Sequence, residues 1–127
     1  MKFLFLICAG PDTAEASGQL RTASPLRTTR TADAPSERDI DEWVTDHDSA
    51  AERIFGERLE SRTAVQTVRV RDGQLLVTDG PFAESKEYIA GIDVIECDSW
   101  ERAIQIAAEH PQAHGAGVEI RPFWNGD

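Results

Sequence analysis

The segment Asp79-Gly80-Pro81-Phe82 is the first place where residue types and spacing suggest chemistry. As structure, Asp-Gly-Pro favours a turn, because Asp bonds its own backbone, Gly supplies positive φ and Pro fixes the exit. As chemistry, an aspartate held beside a glycine backbone at a strand end can act as a general base. Both interpretations stay open. Gly80, Pro81 and Phe82 are accordingly either turn and packing residues or ligand contacts.

A charged cluster and a histidine extend this candidate site. Glu84, Lys86 and Glu87 follow the turn and are either a solvated loop, whose ion pairs contribute under about 1 kcal/mol each, or ligand contacts. His110 ends a predicted helix, whose dipole favours the cationic imidazole. As a catalytic partner it would approach Asp79 across the sheet and titrate near neutrality. Asp79 and His110 are therefore the candidate catalytic pair.

The other polar candidates have simpler interpretations. His47 falls on an apolar stripe, which is typical of a satisfied, partly buried histidine, and His114 is predicted in a loop. Arg121 either holds a carboxylate ligand or pairs with acidic neighbours across the sheet. The sequence has no CxxC, no Cys/His pair at ligand spacing, no Gly-rich phosphate loop and no nucleophile elbow. Neither a metal nor a cofactor is therefore predicted.

The first half of the chain predicts a strand and a helix. The apolar run 2–8 predicts a central strand that is apolar on both faces. Residues 10–35 are rich in Ser, Thr, Ala, Pro and Arg, which predicts either a disordered flap or a lid over a cleft. Ser36 is the predicted helix cap, with Asp39 three residues later. Glu52 falls on the solvent side of the helix that follows, which is predicted to end between residues 52 and 56. Its apolar stripe has three- and four-residue spacing and consists of Ile40, Trp43, Val44, His47, Ala51, Ile54 and Phe55.

The second half predicts a hairpin, a strand, a helix and a strand. Two β-branched runs, 64–71 and 74–78, flank Asp72-Gly73, which is the strongest local hairpin signal in the chain. A strand over 88–97 follows, and its Gly91 marks a bulge or a close backbone contact. Asp98 is the predicted cap of a second helix. The last strand alternates, with Val118 and Ile120 on one face and Glu119 and Arg121 on the other.

This order of elements predicts one domain over residues 1–127. Strands on one face and helices on the other make an α+β sandwich of ferredoxin-like βαββαβ type, with an antiparallel sheet and two helices on one face. Such a sheet leaves its second face bare, and a chain of 127 residues has no third layer to cover it. We therefore expect a homodimer.

Composition limits the classes of function. The net charge of −10 repels phosphate backbones, which argues against nucleic-acid binding. Cys8 and Cys97 sit in apolar runs and are predicted as buried free thiols. The apolar start imitates a signal peptide, but Ile7 is too large for the residue before a lipoprotein cysteine, so a buried strand is preferred. No stretch approaches the roughly 20 apolar residues of a membrane span. The expected compartment is the cytoplasm.

Two segments carry a family resemblance. Residues 67–73 followed by 77–87, which contain Asp-Gly-Pro-Phe, resemble the DGPF motif of YCII-related proteins, and residues 107–111 with 118–123 are similar to that family's C-terminal pattern. The resemblance covers about residues 57–123 and the first strand. It implies a ferredoxin-like fold of the dimeric α/β-barrel kind. His110 stands here where many members carry an aspartate before proline, and no histidine aligns on the first helix, although His47 lies nearby.

For function, the resemblance implies two classes. Some members of this largely uncharacterised family are thought to be enzymes with a His–Asp pair in a cleft, and DGPF members are often associated with extracytoplasmic-function sigma factors. The first hypothesis is a small-molecule enzyme that uses acid–base residues in a cleft or at the dimer interface. The alternative is a non-catalytic ligand-binding or regulatory module associated with a sigma factor.

Overall fold

The computed structural model describes residues 1–10, 29–80 and 88–126. Most of the predicted irregular segment 10–35 lies outside these residues, and its described part, residue 10 and residues 29–35, contains no helix or strand. The regular elements, in chain order, are β1 (Lys2–Ala9), α1 (Ile40–Ser49), β2 (Arg53–Arg58), β3 (Gln66–Arg71), β4 (Gln74–Asp79), β5 (Tyr88–Glu96), α2 (Trp100–Glu109) and β6 (Val118–Pro122).

Four strands form one antiparallel sheet in the order β2-β5-β1-β6. Together with α1 after β1 and α2 after β5, this is the βαββαβ arrangement of a ferredoxin-like fold, and the predicted α+β class is confirmed. The remaining two strands, β3 and β4, pair only with each other. The hairpin is thus an insertion between the second and third strands of the main sheet.

The core lies between the main sheet and the two helices. Central strand β1 buries Phe3, Phe5 and Ile7 on one face, because alternate side chains of a strand point to opposite sides. Trp43 of α1 and Ile106 of α2 pack on that face, and both are fully buried. Val118 and Ile120 of β6 join the same cluster, as their alternation predicted.

The first helix is shorter at both ends than predicted. Asp39, not Ser36, is its N-cap and accepts backbone N–H groups of residues 41 and 42. The helix ends at Ser49, and Ala51 adopts φ 60°, a left-handed conformation that a helix cannot contain. Ile54 and Phe55, which were predicted on the helix stripe, lie in strand β2 instead. The prediction failed because pairing of β2 with β5 overrides the helical spacing.

The elements of the second half follow the predictions more closely. Asp72 and Gly73 both have positive φ, 52° and 77°, as a two-residue hairpin turn requires. A Cβ on Gly91 would lie 3.1 Å from the carbonyl oxygen of Glu57, which confirms the predicted close backbone contact. The cap of α2 is a correction: Ser99, not Asp98, accepts the backbone N–H of Arg102.

Both cysteines are free thiols; Cys97 is buried and Cys8 is half-buried. Among the described residues, no helix is long and apolar enough to cross a membrane. The same described ranges contain no cluster of three or more His, Cys, Asp or Glu side chains that would suit a metal ion.

Candidate functional site

The turn between α1 and β2 brings a carboxylate to the edge of the core. Because α1 ends at Ser49 and the chain reverses at Ala51, Glu52 enters the sheet region, where its carbonyl accepts the N–H of Glu96 at 2.7 Å. Its carboxylate is held by Arg102 of α2, whose Nε and Nη2 donate at 2.7 and 2.8 Å. These hydrogen bonds, followed by one with His47, lower the pKa of Glu52 against the opposing effect of burial. Glu52 is therefore a fixed anion, not the solvated one predicted.

His47 lies against this anion. Its Nδ1 is 3.0 Å from Oε1 of Glu52, and an ionised carboxylate can only accept, so Nδ1 carries the proton. In the neutral form of the ring, Nε2 then carries a lone pair. This atom is buried and has no hydrogen-bond partner in the described chain, and the residue is 4% exposed. The prediction of a buried histidine is confirmed, but only one of its two ring nitrogens is satisfied.

A tryptophan separates His47 from the second buried histidine. The Trp43 ring meets His47 and His110 edge-on, with centroids 5.1 and 4.7 Å apart. Its Nε1 donates to the carbonyl oxygen of Ile106 at 2.8 Å, which fixes the indole between the two helices. The imidazole rings of His47 and His110 therefore both pack against the same indole ring, whose position is fixed.

The environment of His110 differs from the predicted one. Burial lowers the pKa of His110 to about 4, so the imidazole is neutral near pH 7 and the expected cationic form is wrong. Its Nδ1 accepts the backbone N–H of Gln112 at 3.0 Å, which places the ring proton on Nε2. Desolvation therefore outweighs the attraction of the helix C-terminus.

A second buried ion pair lies on the helix-facing side of the sheet. Asp93 of β5 is buried and accepts from Nε of Arg53 at 2.7 Å, while Nη1 of Arg53 donates to Asp48 at 3.1 Å. Burial raises the pKa of Asp93, and the arginine opposes this shift. Gly56 lies directly against this ion pair. A Cβ at residue 56 would come within 2.1 Å of the Asp93 carboxylate and within 2.2 Å of the Arg53 guanidinium, so only glycine fits there without a shift.

Of the predicted DGPF residues, the structure describes Asp79 and Gly80. Asp79 ends β4, is exposed and pairs with Gln66 across the hairpin. Gly80 has the predicted positive φ, 100°, and its N–H donates to the carbonyl oxygen of Val65 at 2.7 Å, next to the Gln66–Asp79 pair of the hairpin. Whether it is a turn residue or a ligand contact stays a prediction. Pro81, Phe82, Glu84, Lys86 and Glu87 lie outside the described residues.

The structure shows no hydrogen bond or ion pair between Asp79 and His110 in the parts of the chain that it describes, and their pairing stays a prediction. His114 lies in a short 3-10 turn rather than an open loop, with Nε2 2.9 Å from the carbonyl oxygen of Ala108. Arg121 is exposed, and its Nε lies 3.9 Å from the carboxylate of Glu119 in the same strand. This contact is not the predicted pair across the sheet, and the ligand role of Arg121 stays a prediction.

Sequence reasoning missed the residues that the structure brings together. Glu52 was assigned to solvent, and Arg102, Arg53 and Asp93 were not singled out. One signal was present in the sequence. Asp93 lies on the buried face of β5, together with Gly91 and Ile95, and a charged side chain at such a position is almost always paired. The pairing of Glu52 with Arg102 had no local signal, since the two residues are 50 positions apart.

Comparison with known proteins identifies a family and a relative. The family model described as "YCII-related domain" matches residues 4–125. An uncharacterised protein of Rhizobium meliloti (strain 1021) is 35% identical over 96 residues, which is 68% of this chain and 77% of that protein. The family match therefore spans nearly the whole chain, from β1 to β6.

Proposed function

Because the chain belongs to the YCII-related domain family, whose name states no reaction, we propose a function from its own side chains: proton transfer to or from a small molecule, with His47 as the acid–base group. The observation that carries the proposal is the unpartnered Nε2 of His47. A buried polar atom without a partner costs about 1–3 kcal/mol. A ligand that donates a hydrogen bond to Nε2 recovers this free energy.

The neighbouring charges suit such a step. Glu52 accepts the Nδ1 proton of His47 and so fixes the tautomer, and Arg102 keeps Glu52 ionised. When Nε2 takes a proton from an O–H, N–H or C–H group, the electron pair stays on the small molecule and the imidazolium is stabilised by Glu52. Proton return from Nε2 completes the cycle. His47 is therefore the base, Glu52 is the carboxylate that orients it, and Arg102 holds Glu52 in place.

The Asp79–His110 pair remains a second proposal for the same chemistry. His110 is neutral near pH 7, and because its Nδ1 accepts the backbone N–H of Gln112, its proton is on Nε2. In this version of the site, Nε2 of His110 would donate a hydrogen bond to the substrate and Asp79 would act as the base. This version of the site would also use the predicted substrate contacts, which are Gly80, Pro81, Phe82, Glu84, Lys86 and Glu87. It predicts that both Asp79→Asn and His110→Gln lose activity.

Side-chain NMR tests the proposal directly. Histidine long-range proton–nitrogen spectra are recorded while mixtures of small carboxylate, phosphate and carbonyl metabolites are added. We expect a binding compound to shift Nε2 of His47 and leave His114 unchanged. His47→Gln should abolish turnover of that compound, Glu52→Gln should reduce it by about 100-fold or more, and His114→Gln is the matched control. Full turnover by His47→Gln would refute the proposal, and its loss in Asp79→Asn instead would favour the second pair.

The second candidate function is a non-catalytic ligand-binding or regulatory module associated with a sigma factor. The exposed aliphatic side chains of the β3–β4 hairpin support it, because contiguous apolar surface is typical of protein-binding sites. This function predicts that a bound metabolite is released unchanged and that a sigma factor co-purifies with the chain. Turnover of the metabolite, without a protein partner, would contradict it.

We also propose that the chain is a cytoplasmic homodimer of the DGPF-motif group. The outer face of the main sheet, where Leu4 and Leu6 of β1 pair with Val94 and Ile92 of β5, has no described helix over it. An apolar sheet face of this kind is stabilised by a second copy. Free Cys8 and Cys97 suit a reducing compartment. Light scattering at micromolar concentration tests the dimer, and a monomer would contradict it.

A further inference from the structure

Helices α1 and α2 are antiparallel neighbours. Just before α1, the backbone N–H of Arg38 donates to the carbonyl oxygen of Glu109, the last residue of α2, at 3.0 Å. Just after α1, the carboxylate of Glu52 accepts from Arg102, in the first turn of α2, at 2.7 Å. The end of each helix therefore lies beside the start of the other.

Each helix carries one buried histidine at its end, and the two rings share one neighbour. His47 is in the last turn of α1 and His110 directly follows α2, and both residues are 4% exposed. The Trp43 ring contacts both imidazoles, with centroid distances of 5.1 and 4.7 Å. The imidazole centroids are therefore at most about 10 Å apart, a distance that a small organic molecule can span.

Hydrogen bonds at the two Nδ1 atoms give the rings opposite tautomers. Nδ1 of His47 is 3.0 Å from the ionised carboxylate of Glu52, so it carries the proton, and Nε2 of the neutral ring is an acceptor. Nδ1 of His110 accepts the backbone N–H of Gln112 at 3.0 Å, so the proton of this ring is on Nε2. At Nε2, His47 therefore presents an acceptor and His110 presents a donor.

The environment of His110 suits a hydrogen-bond donor that keeps its proton. Burial lowers the pKa of His110 to about 4, so the ring is neutral near pH 7. A neutral imidazole N–H holds its proton far more tightly than an imidazolium does. Such a donor in a water-poor site stabilises negative charge that develops on an oxygen of the substrate.

A separate acceptor and donor match one class of proton transfer. When an O–H or N–H group loses its proton, the negative charge stays on the atom that lost it. When a C–H group next to a carbonyl loses its proton, the electron pair of that bond forms a C=C bond and the carbonyl π pair moves to the oxygen. This enolisation needs a base at the carbon and a donor at the oxygen. Return of the proton to carbon completes the cycle without an oxidant or a reductant.

We propose that His47 and His110 act together on an enolisable carbonyl compound: Nε2 of His47 takes a proton from carbon, and Nε2–H of His110 donates a hydrogen bond to the carbonyl oxygen. The inference rests on the proposed proton transfer at His47 and adds its substrate class and a second catalytic residue. Trp43 sets the distance between the two groups. Asp79 takes no part in this reaction.

Hydrogen–deuterium exchange at carbon tests the inference. The chain is incubated in D₂O with pyruvate, cyclohexenone or a butenolide, and proton NMR follows the loss of the C–H signal. We expect faster exchange than with heat-denatured chain, no acceleration by His47→Gln, and a rate about 100-fold lower or less in His110→Phe. His110→Phe keeps an aromatic ring next to Trp43 and removes the donor. Asp79→Asn should leave the rate unchanged.

The outcomes separate this inference from the proposed function. Exchange that persists in His47→Gln would refute the proposed function and, with it, the inference. Exchange that is lost in His47→Gln but unchanged in His110→Phe would overturn only the role of His110. No exchange with any of the three compounds would overturn the substrate class, and loss of exchange in Asp79→Asn would assign the base to Asp79 instead.

A measurement on the wild-type chain removes any dependence on folding of the variants. Long-range proton–nitrogen spectra are recorded with the compound that exchanges fastest. We expect its binding to shift Nε2 of both His47 and His110, with the proton of His110 remaining on Nε2. A shift confined to His47, or an imidazolium signal from His110, would overturn the role of His110 as a neutral donor.

Discussion

Replacing Arg102 by Gln tests the arrangement of the His47–Glu52–Arg102 cluster. Glu52 is 15% exposed and accepts two hydrogen bonds from a guanidinium that is 39% exposed. Breaking a fully buried ion pair costs about 3–5 kcal/mol, because the remaining charge is left without a partner, whereas surface pairs contribute about 0–1 kcal/mol. This pair lies between those limits. We therefore expect Arg102→Gln to lower the free energy of unfolding by about 2 kcal/mol at neutral pH.

The loss should depend on pH in a defined direction. The arginine lowers the pKa of Glu52 below its ordinary value of 4.5. A carboxylate with a lowered folded-state pKa contributes stability that is complete above the unfolded-state pKa and is lost as pH falls through the folded-state pKa. The difference between wild type and Arg102→Gln should therefore be constant above pH 4.5 and shrink below it.

Urea unfolding at a series of pH values measures this difference. Arg121→Gln is the matched control, because Arg121 is 67% exposed and its nearest carboxylate, on Glu119, is 3.9 Å away. We expect the control to change the free energy of unfolding by less than about 0.5 kcal/mol. Equal effects of the two substitutions, or a loss in Arg102→Gln that persists unchanged in acid, would refute the argument that Arg102 stabilises an ionised Glu52.

Three further predictions concern the buried groups. Gly56→Ala should lower the free energy of unfolding by about 1–3 kcal/mol, because its Cβ would displace the Asp93 ion pair; thermal melting measures this, and an unchanged melting temperature would contradict it. Because the pKa of His110 is about 4 in the folded chain against 6.5 ordinarily, only the unfolded state binds its proton between these values, so the free energy of unfolding should fall by about 3 kcal/mol as pH drops from 6.5 to 4. His110→Gln should remove this acid sensitivity and His114→Gln should not, as urea titrations would show. Burial raises the pKa of the Cys97 thiol, so its alkylation should follow global unfolding; rapid labelling of the native chain would contradict this.

The parts of the fold that sequence reasoning predicted correctly are those with a local signal. The alternation of β6, the apolar run of β1 and the turn at Asp72 and Gly73 each depend on neighbouring residues, and each is present in the structure. The separation of the hairpin from the main sheet has no such signal, because it depends on which strands pair over long distances. Ser36 and Asp39 are both good caps, and the chemistry of these residues alone does not decide between them.

The error at the end of α1 and the omission of the cluster have the same cause. Helical spacing continues from His47 through Ala51 to Phe55, which would place Glu52 on the solvent side of a longer helix. The left-handed conformation of Ala51 ends that register, and it is unfavourable for alanine by local propensity, so only tertiary contacts can explain it. Those contacts are the β2–β5 pairing and the Glu52–Arg102 hydrogen bonds. The turn that ends α1 therefore also places Glu52 next to His47. The proposed proton-transfer site depends on the left-handed conformation of Ala51, which the helical spacing of the sequence does not predict.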